Sequence, residues 1–408
     1  MEARAQRGLE IAATKNLKQK GHLWLVPSST GGGTYVVDPT VYGTATCTCP
    51  DYELHRAPCK HVYAVEFTLR RETEKADGTK VTETVRVTYR QEWSAYNAAQ
   101  ANEKAHVAEL LRNLCGAIDN PEQKRGRPRL PLSDQIFCAV MKVYGGMSAR
   151  RTTTDLREFA ERGLIDKAPH YNSVINALEN PELTPFLKAL IEESAKPLAA
   201  LETDFAADSS GFTTNTYARW YDAKYGREMS KHRWLKAHIM VGTATNIVTS
   251  VEITDSCVND TRMLPVLLES TARKFTMQRV SADKGYLSQK NLELIEAHGA
   301  KPFVPFKVNT AFNRPPDASR KKNAQWERML HYCMFRREEF LRHYHRRSNV
   351  ETTFHMMKSK FGGRIRSKTA YAAENELLCK VLAHNLCVLV QSVYELGIEA
   401  TFWKSEVA

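Results

Sequence analysis

The stretch from Tyr344 to Lys358 constrains the fold of this chain more than any other. Four of its residues, at offsets 0, 3, 7 and 14, are Tyr344, Arg347, Glu351 and Lys358. In a helix, at about 100° per residue, these offsets fall within an arc of roughly 60°. The spacing therefore predicts one helix face that carries a phenol, a guanidinium, a carboxylate and an ammonium in a column.

The same helix has apolar residues on another side, which can anchor it in a core: Val350, Phe354, Met357 and Phe361. A carboxylate held on a rigid helix between phosphate-binding cations suits an acid that holds a metal beside a nucleic-acid backbone. The alternative is a solvated helix face with an ion pair between Arg347 and Glu351, which contributes only about 0.2–0.5 kcal/mol.

The spacing Y-x2-R-x3-E-x6-K resembles the signature around the third acidic residue of insertion-sequence DDE transposases of the YREK class. All four fixed positions are filled in this sequence. The resemblance implies a ribonuclease-H-like α/β catalytic domain in which Glu351 is catalytic. It also implies that Arg347, Lys358 and Tyr344 contact phosphates of the transposon end.

Two aspartates upstream meet the requirement of that family for two more acids at strand ends. Asp208 lies in Ala-Asp-Ser-Ser-Gly-Phe and Asp283 in Ala-Asp-Lys-Gly-Tyr, and both resemble the first two acidic motifs of the same transposases. Taken singly, either is most simply an aspartate that forms a turn. With Glu351 they make a set of three carboxylates, which the resemblance implies hold two Mg2+ or Mn2+ ions.

Three of the nine cysteines cluster with a histidine in the pattern C-x-C-x9-C-x-H. Cys47 and Cys49, two apart on an extended segment, point the same way, and Cys59 and His61 supply two further ligands. Three thiolates and one imidazole complete a tetrahedral zinc set, and so small a unit needs a metal or a disulfide for stability. The alternative is three reduced cysteines beside an unrelated histidine. The pattern resembles the SWIM zinc finger, which implies a structural Zn2+ and a module that binds DNA or protein.

Charge and hydropathy limit the partners of the chain. Its 58 Lys and Arg against 46 Asp and Glu give a formal net charge of +12, which favours a polyanionic partner. The N-terminus opens no apolar segment, and no uninterrupted apolar run approaches the roughly 18 residues of a spanning helix. We therefore expect a cytoplasmic protein with no membrane partner.

Changes of pattern along the chain predict three domains. Residues 1–92 form a small α+β SWIM-type zinc module, and residues 93–198 form an all-α DNA-binding region. From residue 199 to 408, three strands followed by alternating helices and strands predict the ribonuclease-H-like α/β domain. In the resemblance, the helical region grips the transposon end.

A basic segment lies inside the helical region, with four cations in six residues: Lys124, Arg125, Arg127 and Arg129. Pro128 favours an extended conformation at Arg127. An extended arm of this kind can lie in an A·T-rich minor groove, with Arg125, Arg127 and Arg129 as the DNA contacts. A solvated basic linker fits the same residues.

With these patterns, the resemblance implies a DNA transposase that cleaves and transfers the strands of a mobile element after binding its terminal repeats. Its partners would be double-stranded DNA, as transposon ends and as target, and a second copy of itself in a dimer on DNA. Two alternatives stay open. One is a transposase-derived DNA-binding regulator that does not cleave, and the other is a structure-selective nuclease on the same domain.

Overall fold

A computed structural model of the chain describes residues 4, 7–8, 11–12, 17–20, 22–28, 34–39, 45–55, 57–74, 80–84, 93–119, 129–214, 234–306 and 324–403. Its contacts divide the chain into two compact units, residues 1–94 and 95–408.

The first unit holds a small antiparallel sheet whose strands follow one another in chain order. Trp24 and Val26 alternate with more exposed neighbours along the second strand, so one face of the sheet is buried. Two helices and a separate hairpin follow. The elements are β1 (Lys18–Lys20), β2 (Leu23–Pro27), β3 (Thr34–Asp38), β4 (Thr46–Cys47), α1 (Pro50–His55), α2 (Lys60–Leu69), β5 (Arg70–Glu74) and β6 (Lys80–Thr84).

The second unit begins with helices. Leu156 and Phe159 are buried on one amphipathic helix, which ends shortly before Gly163 at φ 71°, a conformation that glycine adopts without steric cost. The helices are α3 (Trp93–Cys115), α4 (Leu132–Tyr144), α5 (Ala149–Glu161), α6 (Tyr171–Glu179) and α7 (Leu183–Ala195).

One five-stranded sheet follows, made of β7 (Asp204–Thr213), β8 (Trp234–Gly242), β9 (Val248–Asp255), β10 (Arg279–Ala282) and β11 (Lys301–Phe303). Its order is β11-β10-β7-β8-β9. The pairs β7–β8 and β8–β9 are antiparallel, whereas β10 is parallel to β7 and β11 is parallel to β10. β7 is therefore the central strand, and both of its edges are hydrogen-bonded.

The remaining helices are α8 (Leu264–Ala272), α9 (Gln289–Ala297), α10 (Ala324–Phe335), α11 (Arg337–Tyr344), α12 (Ser348–Phe361) and α13 (Ala370–Leu396). Short 3-10 turns lie at Lys196–Leu198, Asp260–Arg262, Lys284–Tyr286 and His345–Arg347.

Successive residues of β7 face opposite sides of the sheet. Ala206 and Phe212 share a core with α12 and α13, whereas Phe205 and Ala207 share another with α8 and α9. Helices α3 to α7 contribute to the first of these cores. The helical region and one face of the sheet are thus packed together, and the predicted boundary between residues 198 and 199 stays a prediction.

Helix α13 is the most apolar long helix in the described part of the chain. By length and composition alone it could cross a membrane, but 78% of its apolar window is buried inside the protein. Leu377, Leu382 and Leu386 are fully buried in the core beside α12. Packing against the sheet and its neighbouring helices therefore accounts for its hydropathy.

A buried lysine ties α13 to the end of α12. Lys380 is 2% exposed, and its Nζ donates to the carbonyl oxygens of Gly362 at 2.8 Å and Arg364 at 2.6 Å. Gly362, at φ 80°, ends α12. An ammonium at this position satisfies carbonyls at the helix terminus and complements the helix dipole.

We expect Lys380→Met to lower the free energy of unfolding by about 1–3 kcal/mol, because two carbonyls lose their buried donor. Urea denaturation of the variant and of Lys368→Met, which removes an exposed lysine, measures the difference. Equal stability of Lys380→Met and wild type would contradict this role.

The same lysine predicts a pH dependence. Burial lowers the pKa of Lys380 to about 8 from its ordinary 10.5, against the opposing effect of Glu376. Between these values the unfolded chain binds more protons than the folded protein, so this group adds stability as the pH rises. The stability gap between wild type and Lys380→Met should therefore widen from about pH 8 to pH 10.

Candidate functional site

The predicted column starts on two short elements and continues on a helix. Tyr344 is the last residue of α11, Arg347 ends the 3-10 turn, and Glu351 and Lys358 lie on α12. The backbone stays in the right-handed helical region at Tyr344, Arg347 and Ser348. Helix α11, the 3-10 turn and α12 therefore follow one another without an extended residue at these junctions. The prediction of one helix thus holds from Ser348 onward. The four apolar residues predicted to anchor it are buried: Val350, Phe354, Met357 and Phe361.

Adjacent parallel strands bring Asp208 and Asp283 side by side. The register pairs Ala207 on β7 with Ala282 on β10, and each aspartate follows its alanine directly. Asp208 continues in β7, and its Oδ1 accepts a hydrogen bond from the backbone N–H of Ser209 at 2.8 Å. Asp283 directly follows β10 and precedes the 3-10 turn Lys284–Tyr286.

Helix α12 brings the third carboxylate to the same place. Arg347 Nη1 donates to Asp208 Oδ2 at 2.8 Å, and Arg347 Nη2 donates to the Glu351 carboxylate. The ion pair within the column that the sequence suggested as an alternative is thus present, and it extends to Asp208. The guanidinium links an acid on the central strand to an acid on the helix.

Burial and neighbouring negative charges both affect the pKa of Asp208. Burial raises it, the hydrogen bond from Ser209 and the Arg347 guanidinium lower it, and Asp283 and Glu351 raise it further, with a net upward shift. Asp208 therefore lies within electrostatic range of both other carboxylates. The oxygens of the three carboxylates do not all lie within 4.8 Å of one another. Among the described residues, only the ligand atoms of the cysteine and histidine cluster near the N-terminus lie that close together.

The other predicted DNA contacts divide into two groups. Lys358 Nζ donates to Ser210 Oγ at 2.6 Å and lies 5.0 Å from the centre of the Phe212 ring, and burial lowers its pKa. Ser210 and Phe212 both lie on β7. Lys358 therefore contacts the same strand that Arg347 contacts through Asp208. Arg129 is exposed just before α4, and Arg125 and Arg127 lie outside the described residues.

A second polar cluster, the Asp260 cluster, lies on the other face of β7 and escaped the sequence analysis. Asp260 Oδ1 accepts from Ser209 Oγ at 3.0 Å and lies 2.5 Å from Lys236 Nζ and 3.4 Å from His238 Nδ1. The Tyr286 hydroxyl is buried nearby with no hydrogen-bond partner among the described residues. These residues come from four separate segments, so no local spacing signals them.

Burial shifts the pKa of two residues in this region, and nearby carboxylates modify both shifts. Burial lowers the pKa of His238 to about 4, although Asp260 opposes the shift. Burial, Asp260 and Asp208 together raise the pKa of Tyr286. At neutral pH the imidazole is thus uncharged and the phenol protonated, which leaves Lys236 as the cation paired with Asp260.

In the first unit, the four predicted zinc ligands converge. Cys47 ends β4, Cys49 precedes α1, and Cys59 and His61 stand at the start of α2. Pro50 begins α1, where its missing N–H costs no hydrogen bond. All four side chains are buried, and their ligand atoms lie within 4.8 Å of one another.

The distances suit a tetrahedral metal. His61 Nδ1 lies 3.9 Å from Cys47 Sγ and 3.9 Å from Cys59 Sγ, near the separation of about 3.5 Å that two ligands of a tetrahedral zinc ion require. The pKa of Cys59 falls to about 4, chiefly through the hydrogen bond from the Cys47 thiol, and the pKa of Cys47 rises. The cluster thus stabilises one thiolate on its own, and a divalent cation would stabilise three.

Comparisons with known proteins found two family matches and a similar solved structure. The family model of the transposase DDE domain matches residues 200–386, and the model of the SWIM zinc finger matches residues 38–69. No curated protein matched the chain. Among solved structures, the chain is similar to the cryo-EM structure of a piggyBac transposase synaptic complex with hairpin DNA, at 9% sequence identity and a TM-score of 0.34, over 76% of this chain and 77% of that chain.

The two family matches contain the predicted residues. Asp208, Asp283 and Glu351 fall within the first match, and the four zinc-ligand candidates fall within the second. The resemblance to these families that the sequence motifs predicted is confirmed. Residues 200–386 thus match the transposase DDE domain, and residues 38–69 match the SWIM zinc finger.

Proposed function

We propose that this protein is a DNA transposase of the YREK class, with Asp208, Asp283 and Glu351 as its catalytic acids. The observation that carries the proposal is their convergence. Two adjacent strands and one helix, far apart in sequence, bring Asp283 and Glu351 within electrostatic range of Asp208 inside the matched region. Since like charges repel, such a cluster is a functional-site candidate.

The fold proposed for this domain is ribonuclease-H-like. Three antiparallel strands lie on one side of the sheet, and two parallel strands continue from the first of them on the other side. Helices α8 and α9 connect the strands that follow β9. The topology supports the proposal because it leaves Asp208 and Asp283 on neighbouring strands and leaves one face of β7 free for α12.

The three acids have the chemistry that divalent cations require. Carboxylate oxygens are the ligands preferred by Mg2+ and Mn2+. Burial, followed by the charges of Asp283 and Glu351, raises the pKa of Asp208, and a bound cation would oppose both effects. Two such ions held by these acids would supply an activated water or DNA 3′-hydroxyl and stabilisation of the leaving oxygen. The side chains of Asp208, Asp283 and Glu351 would hold and orient them, and the protein needs no covalent intermediate.

Cations around the acids would bind the substrate. Arg347 and Lys358 would bind phosphates of the transposon end and Tyr344 would hydrogen-bond one, since all three lie along the same segment as Glu351. Helices between residues 93 and 198 would grip the terminal repeats, and Arg125, Arg127 and Arg129 would reach a minor groove. The substrate would be double-stranded DNA, bound by a dimer in the cytoplasm.

Two other functions fit parts of the same chain. A transposase-derived regulator would use the finger and the helices to bind DNA without cleaving it. A structure-selective nuclease would cleave without needing a specific end sequence. A strand-transfer assay on DNA that carries the flanks of the gene separates the transposase from both.

For the SWIM finger we propose one structural Zn2+ on Cys47, Cys49, Cys59 and His61. Cys59→Ala should abolish zinc binding and unfold residues 1 to about 92, because a unit of this size has little core of its own. Native mass spectrometry counts the zinc, and limited proteolysis reports the folding.

Cys257→Ala is the matched control, since this exposed thiol lies outside the finger. It should keep one zinc per chain and the wild-type proteolysis pattern. A metal-free wild-type protein with a protease-resistant N-terminal unit would contradict the zinc proposal.

The proposed chemistry predicts that Glu351→Gln abolishes Mg2+-dependent cleavage of DNA bearing the flanks of the gene. The change keeps the shape of the side chain and removes its charge, so the two-ion site loses a ligand. Binding to the same DNA should persist, and both are measured in parallel by gel assays.

Glu338→Gln, on the exposed surface of α11, serves as the control and should cleave like wild type. Equal cleavage by Glu351→Gln and wild type would remove Glu351 from the mechanism. Tight binding without cleavage in every protein, wild type included, would favour the regulator.

A further inference from the structure

The guanidinium of Arg347 lies between two of the three carboxylates of the candidate site. Its Nη1 donates to Asp208 Oδ2 at 2.8 Å and its Nη2 donates to the Glu351 carboxylate. The Tyr344 ring lies 5.7 Å from the guanidinium carbon, and 18% of the Arg347 side chain is exposed. Arg347 is therefore held in place, and its planar fork spans acids from two different elements.

These hydrogen bonds occupy one oxygen of each of two carboxylates that would bind a metal ion. A guanidinium stays charged throughout the working pH range, so it does not leave the carboxylates by losing a proton. A divalent cation arriving at Asp208 or Glu351 meets a positive charge already paired with both acids, and like charges repel in a partly buried site. The contacts that stabilise the free protein therefore oppose metal binding.

A DNA phosphate offers Arg347 another partner. The fork of a guanidinium matches phosphate oxygens as well as carboxylate oxygens. Rotation of the side chain toward a phosphate would free Asp208 and Glu351 for a cation. DNA binding that draws Arg347 to a phosphate would raise the affinity of the two acids for a cation. By linkage, cation binding would raise the affinity for DNA by the same factor.

We propose that Arg347 is the resident counter-ion of the metal-free site, and that its transfer from Asp208 and Glu351 to a DNA phosphate couples metal binding to DNA binding. This inference rests on the proposed function, because it requires that the three acids bind Mg2+ or Mn2+. Its consequence is that the protein binds catalytic metal weakly until DNA is in place.

The test measures Mn2+ affinity without any cleavage. Full-length, zinc-loaded protein is titrated with Mn2+, and the free ion is followed by electron paramagnetic resonance. Arg347→Ala should bind Mn2+ about fivefold or more tightly than wild type in the absence of DNA, at the lower end of typical coupling factors. Circular dichroism checks that each variant is folded.

Arg346→Ala is the matched control. Arg346 is the preceding residue and pairs with Asp204, which keeps Arg279 as a second partner at 2.7 Å. Its loss removes the same charge one position away and leaves the Arg347 contacts in place, so the Mn2+ affinity should equal that of wild type. An increase in this control equal to that of Arg347→Ala would reduce the effect to net charge and overturn the proposal.

Arg347→Lys provides a second variant that keeps the charge. A lysine lacks the planar fork and cannot span both carboxylates in the same way, so its Mn2+ affinity should lie between those of wild type and Arg347→Ala. It also keeps the test decisive if Arg347→Ala does not fold.

A duplex carrying the flanks of the gene completes the experiment. It should tighten Mn2+ binding to wild type by about the factor gained in Arg347→Ala, and should add little to that variant. Equal Mn2+ affinity of wild type and the folded Arg347 variants would overturn the inference and leave the proposed function standing. Absence of Mn2+ binding in wild type, with and without DNA, would overturn the proposed metal site and the inference with it.

Discussion

The packing of α12 against β7 is the interaction on which the candidate site depends. Three carboxylates repel one another, so they stay together only where other contacts hold their elements in place. Val350, Phe354 and Met357 bury one side of α12 in the core that also contains Phe212 of β7. At the C-terminal end of the helix, Thr213 of β7 hydrogen-bonds with residues 363 and 365. The free energy gained by burying these apolar side chains thus offsets the repulsion within the charge cluster.

Polar contacts fix where α12 lies along the sheet. Asn349 Nδ2 donates to the carbonyl oxygen of Thr243 at 2.6 Å, in the turn between β8 and β9. His384 Nε2 on α13 donates to the carbonyl oxygen of Asn246 in the same turn at 2.9 Å, and Lys380 caps the far end of α12. A helix held at both ends fixes the position of Glu351 relative to Asp208, as the proposed two-ion chemistry would require.

The sequence predicts what depends on local spacing and misses what depends on long-range packing. Offsets of 3, 7 and 14 residues determine a helix face, and C-x-C-x9-C-x-H determines a ligand set, so both were recognisable before the fold was known. The contact from Arg347 to Asp208 joins residues 139 apart, and only the fold shows it. Asp260 and Lys380 were missed for the same reason, since each finds its partners across the tertiary structure.

Metal binding by the three acids and phosphate binding by Arg347 are tested most directly by a crystal structure of the zinc-loaded protein with Mn2+ and a duplex carrying the flanks of its gene. Anomalous scattering would locate the manganese. The proposed site predicts manganese bound directly by carboxylate oxygens of Asp208 and Asp283, with Glu351 completing the site. It also predicts that the Arg347 guanidinium contacts a phosphate. Manganese bound elsewhere, with Arg347 still between Asp208 and Glu351 and a DNA strand lying away from them, would contradict it.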